Sequence, residues 1–164
     1  MTKYLYRGHE YSVEGCSKEE IPSHLERVLI YWEHTDAGVK FQTKLLEKCI
    51  DNNTAWQIKD DERNSQGQMY FMPHGKHEMN AHHLWFQNKR IFAMMAHYLM
   101  YHTDCETIYY MPHQRKVLPF KFLMSEDNAK RFYNSNDPLI IPIYTTPNVQ
   151  LVEKYFINEG IEEI

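Results

Sequence analysis

The chain of 164 residues is 43% hydrophobic, 24% charged and 14% aromatic, and it carries a formal net charge of −4. This balance is typical of a folded domain with ample core material and excludes an intrinsically disordered chain. No run of about 18 apolar residues occurs, and the amino terminus lacks the apolar segment of a signal peptide, so we expect a cytoplasmic protein without a membrane span.

Turn and capping signals divide the first half of the chain into short helices and short strands. In order they are a β-hairpin over residues 3–13, a helix from Pro22 to about Glu33, a second helix from Thr35 or Asp36 to about Ile50, a strand at 54–59 and an exposed turn at 60–67. The spacing of Ser17 and Glu20 predicts a capping box. The second helix is predicted to bury one apolar stripe, made of Phe41, Leu45, Leu46 and Cys49.

The second half is predicted to centre on one long helix, from about His77 to Thr103, because apolar residues recur there at helical spacing. A strand is predicted before it, at Gln68–Met72, and another after it, at Thr107–Met111. The remaining predicted elements are a strand at 117–124, a short helix from Ser125, a turn at 134–138, an edge strand at 139–144 and a final helix from Thr146 to Gly160. Together these patterns predict a single α+β (mixed α/β) domain over residues 1–164, with five or six strands and four or five helices.

The two strands that flank the predicted long helix end in the same tripeptide. Met72-Pro73-His74 closes the first and Met111-Pro112-His113 closes the second, each after an aromatic run and each followed by basic residues. Residues 64–121 carry six Lys and Arg against three Asp and Glu, whereas both flanks of the chain are acidic. An anionic partner is therefore expected to bind in the middle of the chain.

A binding site is predicted there if the two strands are parallel neighbours joined by the helix, because their carboxyl ends then share one edge of the sheet. The groups expected to converge on a phosphate or carboxylate are Lys76, His77, Arg115 and Lys116, with His74 and His113 beside them. Arginine can hold such an anion through two parallel hydrogen bonds. The alternative is that each proline simply ends a strand and each histidine lies in a polar turn.

A second candidate contact surface is a stripe along the predicted central helix. Its members recur at helical steps of three and four and are His83, Gln87, Arg90, Met94, His97 and Tyr101. Arginine interleaved with aromatic side chains suits base stacking or the surface of a protein partner. The alternative is a polar flank that the rest of the domain partly covers.

No metal and no cofactor is predicted. Seven of the ten histidines fall between His74 and His113, but their spacing matches no zinc motif and no HExxH occurs. The three cysteines, at positions 16, 49 and 105, are too far apart in sequence for a zinc knuckle and are predicted to be free thiols, mostly buried. The chain also lacks a Gly-rich phosphate loop and a nucleophile elbow.

Three functions fit these patterns. The first is a binding protein for an anionic partner, a phosphate-bearing ligand or a nucleic acid, through the His, Arg and Lys cluster at the two strand ends. The second is an enzyme that cleaves a phosphodiester with His74 and His113 as an acid–base pair. The third is a virus-encoded accessory protein that binds and inhibits a host protein through exposed aromatic residues. The binding protein is the prediction that we carry forward.

Overall fold

The computed structural model describes residues 1–28, 34–110 and 139–164 and shows a mixed eight-stranded sheet with helices packed on both faces. In chain order the elements are β1 (Thr2–Tyr6), β2 (His9–Gly15), a 3₁₀ turn (Lys18–Glu20), α1 (Ile21–Val28), α2 (Asp36–Asp51), β3 (Ala55–Lys59), β4 (Ser65–Gly75), β5 (Glu78–Phe86), α3 (Lys89–His102), β6 (Thr107–Tyr110), β7 (Leu139–Pro142), α4 (Thr146–Glu159) and β8 (Ile161–Glu163). The strand order is β7-β6-β5-β4-β3-β2-β1-β8. The predicted α+β class is confirmed, with more strands than the five or six expected. No helix in this described part is long and apolar enough to span a membrane.

The predicted amino-terminal hairpin is confirmed. β1 and β2 pair in antiparallel register, ending with Tyr6 opposite His9. Arg7 and Gly8 form the two-residue turn, with φ angles of 51° and 80°. Such a turn matches the twist of the flanking strands only when both central residues have positive φ, which glycine adopts at little cost. The hairpin places Tyr4 and Tyr6 in the core.

The predicted helix starts are also confirmed. The backbone amide of Ser17 donates to Oε1 of Glu20 at 3.1 Å, as a capping box requires. The hydroxyl of Thr35 accepts from the amide of Gly38 at 3.0 Å, and α2 begins at the next residue after this cap.

The prediction that Phe41 belongs to the buried apolar stripe of α2 is wrong. Phe41 is 56% exposed, and Gln42 is buried on the core side with Leu46 and Cys49. At 3.6 residues per turn, Phe41 lies about 140° around the helix from Leu46, so both cannot face the same core. The sheet surface that α2 covers decides which of the two is buried.

The predicted long helix is wrong in its first half, because Glu78–Phe86 is strand β5 and α3 begins only after it. β5 is antiparallel to β4, and the turn between them has positive φ at Gly75 (140°) and His77 (61°). Short apolar patterns can fit both periods, and pairing with a neighbouring strand decides between them. Leu84 and Ile91, both within the predicted helix, face the same core, one from a strand and the other from a helix.

The far ends of the sheet are formed by late segments of the chain. β6 is parallel to β5 and antiparallel to β7, and β7 has the edge position that Pro142 predicted. β8, which no pattern predicted, pairs with β1 after α4 ends at Gly160 with a φ of 72°. The elements predicted at 117–124, from Ser125 and at 134–138 lie outside the described residues.

Two hydrophobic cores lie on the two faces of the sheet. Successive residues of β4 alternate between them, so Met69 and Phe71 lie in the core under α3 and α4, and Tyr70 lies in the core under α1 and α2. All three side chains are 0% exposed. α3 approaches β4 so closely that a Cβ atom on Gly67 would lie 2.8 Å from Cγ2 of Ile91.

We therefore expect Gly67→Ala to destabilise the protein by about 1–3 kcal/mol, because the added methyl group forces α3 away from the sheet. The measurement is the free energy of unfolding in urea. Gly15→Ala is the matched control, because a Cβ at Gly15 meets no atom within 4 Å. Equal stability of the two variants would contradict the close approach of α3 to β4.

Candidate functional site

The two Met-Pro-His segments do not end side by side. β5 lies between β4 and β6, and because it is antiparallel to β4 and parallel to β6, these two strands run in opposite directions. The predicted pair of parallel neighbours is therefore wrong, and the unpredicted strand β5 is the reason. His113, Arg115 and Lys116 lie outside the described residues, so their part in a site stays a prediction, as does an enzyme that pairs His74 with His113.

The first Met-Pro-His segment ends in the β4–β5 turn and contacts the start of β6. Nδ1 of His74 lies 3.0 Å from the side-chain nitrogen of Asn80, and its ring centre lies 4.4 Å from that of Tyr109. Nδ1 of His77 lies 3.0 Å from the carbonyl oxygen of Asp104. Both imidazoles therefore connect the turn to neighbouring backbone and side chains.

The described charges around this turn are mainly acidic. Lys76 is exposed in the turn, but Glu78 lies beside Gly75, and the carboxylate of Asp104 lies 3.5 Å from the ring of His77. The amide of Glu106 donates to the carbonyl of His77, which holds the chain before β6 against the turn. Within the described residues, this edge therefore disfavours an anion.

The predicted stripe is divided between a strand and a helix. His83 lies in β5, where its Nε2 is 2.9 Å from Oε1 of Gln68, on the sheet face that α1 covers. Gln87 precedes α3, and the members that share one flank of this helix are Arg90, Met94, His97 and Tyr101, of which Met94 is fully buried.

That flank of α3 packs against β1 and α4. Nδ1 of His97 lies 2.8 Å from the hydroxyl oxygen of Tyr4, and the His97 ring stacks on Phe156 at 4.6 Å. The hydroxyl of Tyr101 donates to Oε1 of Glu153 at 2.6 Å. His97 and Tyr101 therefore hold the carboxyl-terminal helix on the sheet.

The parallel pair of β5 and β6 opens after three residue pairs. These pairs are Glu78 with Thr107, Met79 with Ile108, and Asn80 with Tyr109. β5 continues to Phe86 against β4 on its other side, so the two parallel strands diverge towards their carboxyl ends. Ligands of sheets with parallel strands commonly bind at such carboxyl ends. We call this gap the β5–β6 opening.

An apolar cavity of about 30 Å³ lies at the β5–β6 opening, on the face that α3 covers. Its lining residues are Met69, Phe71, Leu84, Phe92, Met95, Ala96, Leu99, Ile108, Tyr110, Ile141 and Ile143. A bound water needs two to four polar partners, which these walls do not supply. The cavity therefore favours a small apolar group over water.

The amino end of α3 follows β5 directly and has the features of an anion-binding helix start. Oδ1 of Asn88 accepts from the amide of Ile91 at 3.1 Å, and the earlier amides of the turn have no intrahelical acceptor. Lys89 and Arg90 lie in this first turn, which contains no acidic residue. The helix dipole adds partial positive charge at the same end.

Arg90 is a cation among tyrosine rings. Its guanidinium carbon lies 4.8 Å from the ring centre of Tyr6, and it opposes the rise in the pKa of Tyr11 and Tyr155 that burial causes. Arg90 forms no ion pair with any residue in the described ranges. A half-buried cation of this kind favours a nearby anion.

A buried polar cluster that the sequence did not reveal lies on the opposite face of the sheet. The hydroxyl oxygen of Tyr70 lies 2.6 Å from Nδ1 of His24, and both residues are buried under α1. Nε2 of Gln57 donates to Oε2 of Glu20 at 2.6 Å, while its Oε1 has no hydrogen-bond partner among the described residues. His24 and Tyr70 are 46 positions apart in sequence, and Glu20 and Gln57 are 37 apart, so no local sequence pattern connects either pair.

Burial and hydrogen bonds shift the pKa values of this cluster in different directions. Burial would raise the pKa of Glu20, but hydrogen bonds from Gln57, Lys59 and Ser17 lower it to about 2. Burial lowers the pKa of His24, against the effect of Glu20. Burial also raises the pKa of the Cys16 thiol to about 12. The cluster therefore holds an ionised carboxylate beside a neutral imidazole and a neutral thiol at pH 7.

No group of three or more His, Cys, Asp or Glu side chains within residues 1–28, 34–110 and 139–164 could hold a metal ion. The three cysteines are free and buried, as predicted.

The fold and site define an α+β protein whose mixed sheet opens between two parallel strands beside a cationic helix start. No protein-family model matches the chain, and no curated protein matches it. Among solved structures it is similar to spermidine N-acetyltransferase from Vibrio cholerae in complex with CoA and spermine, with 12% identity and a TM-score of 0.43, over 60% of this chain and 69% of that chain. A likeness of this degree assigns no activity.

We expect Tyr70→Phe to lower the free energy of unfolding by about 1–3 kcal/mol, because Nδ1 of the buried His24 loses its hydroxyl partner. Urea denaturation measures this change. Tyr144→Phe removes the same atom from a side chain that is 52% exposed and should change stability by less than about 0.5 kcal/mol. Equal effects of the two changes would show that the His24–Tyr70 contact contributes nothing.

Stability should also fall on mild acidification. Burial lowers the pKa of His24 in the folded state, so below a pH of about 6.5 the unfolded chain binds a proton that the folded chain binds less readily. The free energy of unfolding is therefore expected to decrease as the pH falls from about 7 to 5, and to decrease less steeply in His24→Gln. His34→Gln, at an exposed position before α2, should keep the wild-type slope. If the free energy of unfolding of His24→Gln falls with pH as steeply as that of the wild type, the pH dependence does not come from His24.

Proposed function

We propose that this protein binds an anionic, phosphate-bearing ligand at the β5–β6 opening, with the phosphate at the amino end of α3. One observation supports this proposal above all. The parallel strands β5 and β6 separate after three residue pairs, beside helix α3, whose first turn contains Lys89 and Arg90. The proposal keeps the kind of partner expected from the sequence. It moves the expected contact from the Met-Pro-His turns to the start of α3.

The charges near the two possible positions favour the start of α3. The β4–β5 turn has the carboxylates of Glu78 and Asp104 beside Gly75 and His77, whereas the first turn of α3 has two cations and no acidic residue. A phosphate at a helix start accepts hydrogen bonds from backbone amides, and lysine adds a point charge. Like charges around the β4–β5 turn oppose the same ligand there.

The expected affinity for a minimal phosphate probe is low. The helix dipole contributes about 0.3–1 kcal/mol, and each charge-assisted hydrogen bond contributes about 1.5–3 kcal/mol. After the cost of association, a net of about 4 kcal/mol corresponds to a Kd of about 1 mM. A natural ligand that also fills the apolar cavity would bind more tightly.

Inorganic pyrophosphate is therefore a suitable probe, titrated into ¹⁵N-labelled protein and followed by amide chemical shifts. We expect the largest saturable shifts at residues 88–90, because the amide of Gln87 donates to the carbonyl of Gln66 and that of Ile91 donates to Asn88, so the phosphate oxygens accept from the amides between them. The double variant Lys89→Gln/Arg90→Gln should weaken binding by about tenfold or more, since it removes both side-chain charges of the first turn.

The matched control is Lys3→Gln/Lys18→Gln, which removes the same charge from exposed side chains that do not lie in α3. It should bind pyrophosphate as the wild type does. Shifts centred on Lys76 and His77, or equal weakening in both double variants, would place the site elsewhere and overturn the proposal.

A further inference from the structure

The exposed side of α2 carries a row of lysines around one aromatic side chain. Lys40, Lys44 and Lys48 are exposed and lie four residues apart, so successive lysines are about 6 Å apart along the helix axis. Phe41 lies on the same side and is 56% exposed. We call these four residues the α2 surface.

The lysines of the α2 surface are not neutralised within the described part of the chain. None of the three forms an ion pair there, whereas Asp51 at the end of α2 pairs with Lys18 at 2.8 Å. Asp36, one turn before Lys40, and Glu47, on the flank of the row, offset two of the three charges, which leaves a local excess of one positive charge in a chain of net charge −4. This excess is complementary to an anionic partner.

The exposed Phe41 side chain helps to distinguish between two kinds of anionic partner, a lipid surface and a single-stranded nucleic acid. The buried residues of α2 are Gln42, Leu46 and Cys49 on its opposite side, so Phe41 contributes nothing to the core. A helix that lies on a lipid surface needs a broad apolar face, and the exposed side of α2 offers a single large apolar residue among lysines. An aromatic ring flanked by cations instead suits the stacking of one unpaired base between neighbouring phosphates.

We propose that the α2 surface binds single-stranded nucleic acid, with the three lysines on successive phosphates and Phe41 stacked on a base. This surface is on the opposite sheet face from α3, so it is distinct from the proposed phosphate site at the β5–β6 opening.

Fluorescence anisotropy of a labelled single-stranded oligothymidylate, measured at several salt concentrations, tests the proposal. Three phosphates neutralised on a single strand give a slope of log affinity against log salt of about −2. Each Lys→Gln change at 40, 44 or 48 should reduce the slope by about 0.7. Phe41→Leu should weaken binding about 5- to 100-fold and leave the slope unchanged, because stacking releases no counterions.

All four positions are exposed, so these variants should fold normally, which far-UV circular dichroism verifies. Lys154→Gln, at an exposed position of α4 on the other face of the sheet and outside both proposed sites, serves as the control and should bind the oligonucleotide as the wild type does. The proposal would be overturned if the triple variant Lys40→Gln/Lys44→Gln/Lys48→Gln bound the oligonucleotide as the wild type does, or if the control lost binding. It would also be overturned if the protein bound phosphatidylserine vesicles but not the oligonucleotide. The pyrophosphate titration fails or succeeds independently, because it is followed at the amides of the α3 start and its test variant, Lys89→Gln/Arg90→Gln, changes no residue of the α2 surface.

Discussion

The pairing of β5 with β4 is the constraint on which the rest of this structure depends. It uses the full length of β5, from the turn at Gly75 to Phe86, and leaves only the first three residues of β5 paired with β6. Because β5 is antiparallel to one neighbour and parallel to the other, it sends the ends of β4 and β6 in opposite directions. It also fixes where α3 begins and where the sheet opens. A helix in place of β5 would have removed the opening altogether.

The two faces of the sheet have different chemistry. Under α3 and α4 the core is apolar, and Gly67 lets Ile91 and the methionines of α3 approach the strands closely. Under α1 and α2 the core contains Tyr70, His24 and Gln57, whose polar atoms must find partners because burial removes water. The first arrangement brings a helix start beside the opening, and the second fixes the position of α1. Each face therefore limits what could bind near it.

Positive charge in this acidic chain is concentrated at a few places, and the neighbouring groups decide whether each cation can bind an anion. Lys76 lies between His74 and His77 in a turn where Glu78 is beside Gly75 and Asp104 is beside His77. Lys89 and Arg90 lie at a helix start, where the positive end of the helix dipole attracts an anion as they do, and the lysines of α2 are exposed around Phe41. A count of charges along the chain gives all these cations equal weight. Only their three-dimensional neighbours separate a neutralised cation from an available one.

Features that depend on residues close along the chain could be predicted from the amino-acid sequence: the hairpin at Arg7 and Gly8, the caps at Ser17 and Thr35, and the α+β class. These follow from local backbone preferences and hydrogen bonds, which a few neighbouring residues specify. Tertiary structure alone decided that 78–86 pairs as a strand, that Phe41 is exposed, and that His24 meets Tyr70. Each of these outcomes depends on contacts between distant residues, whose free energies exceed the local preferences that a sequence pattern reports.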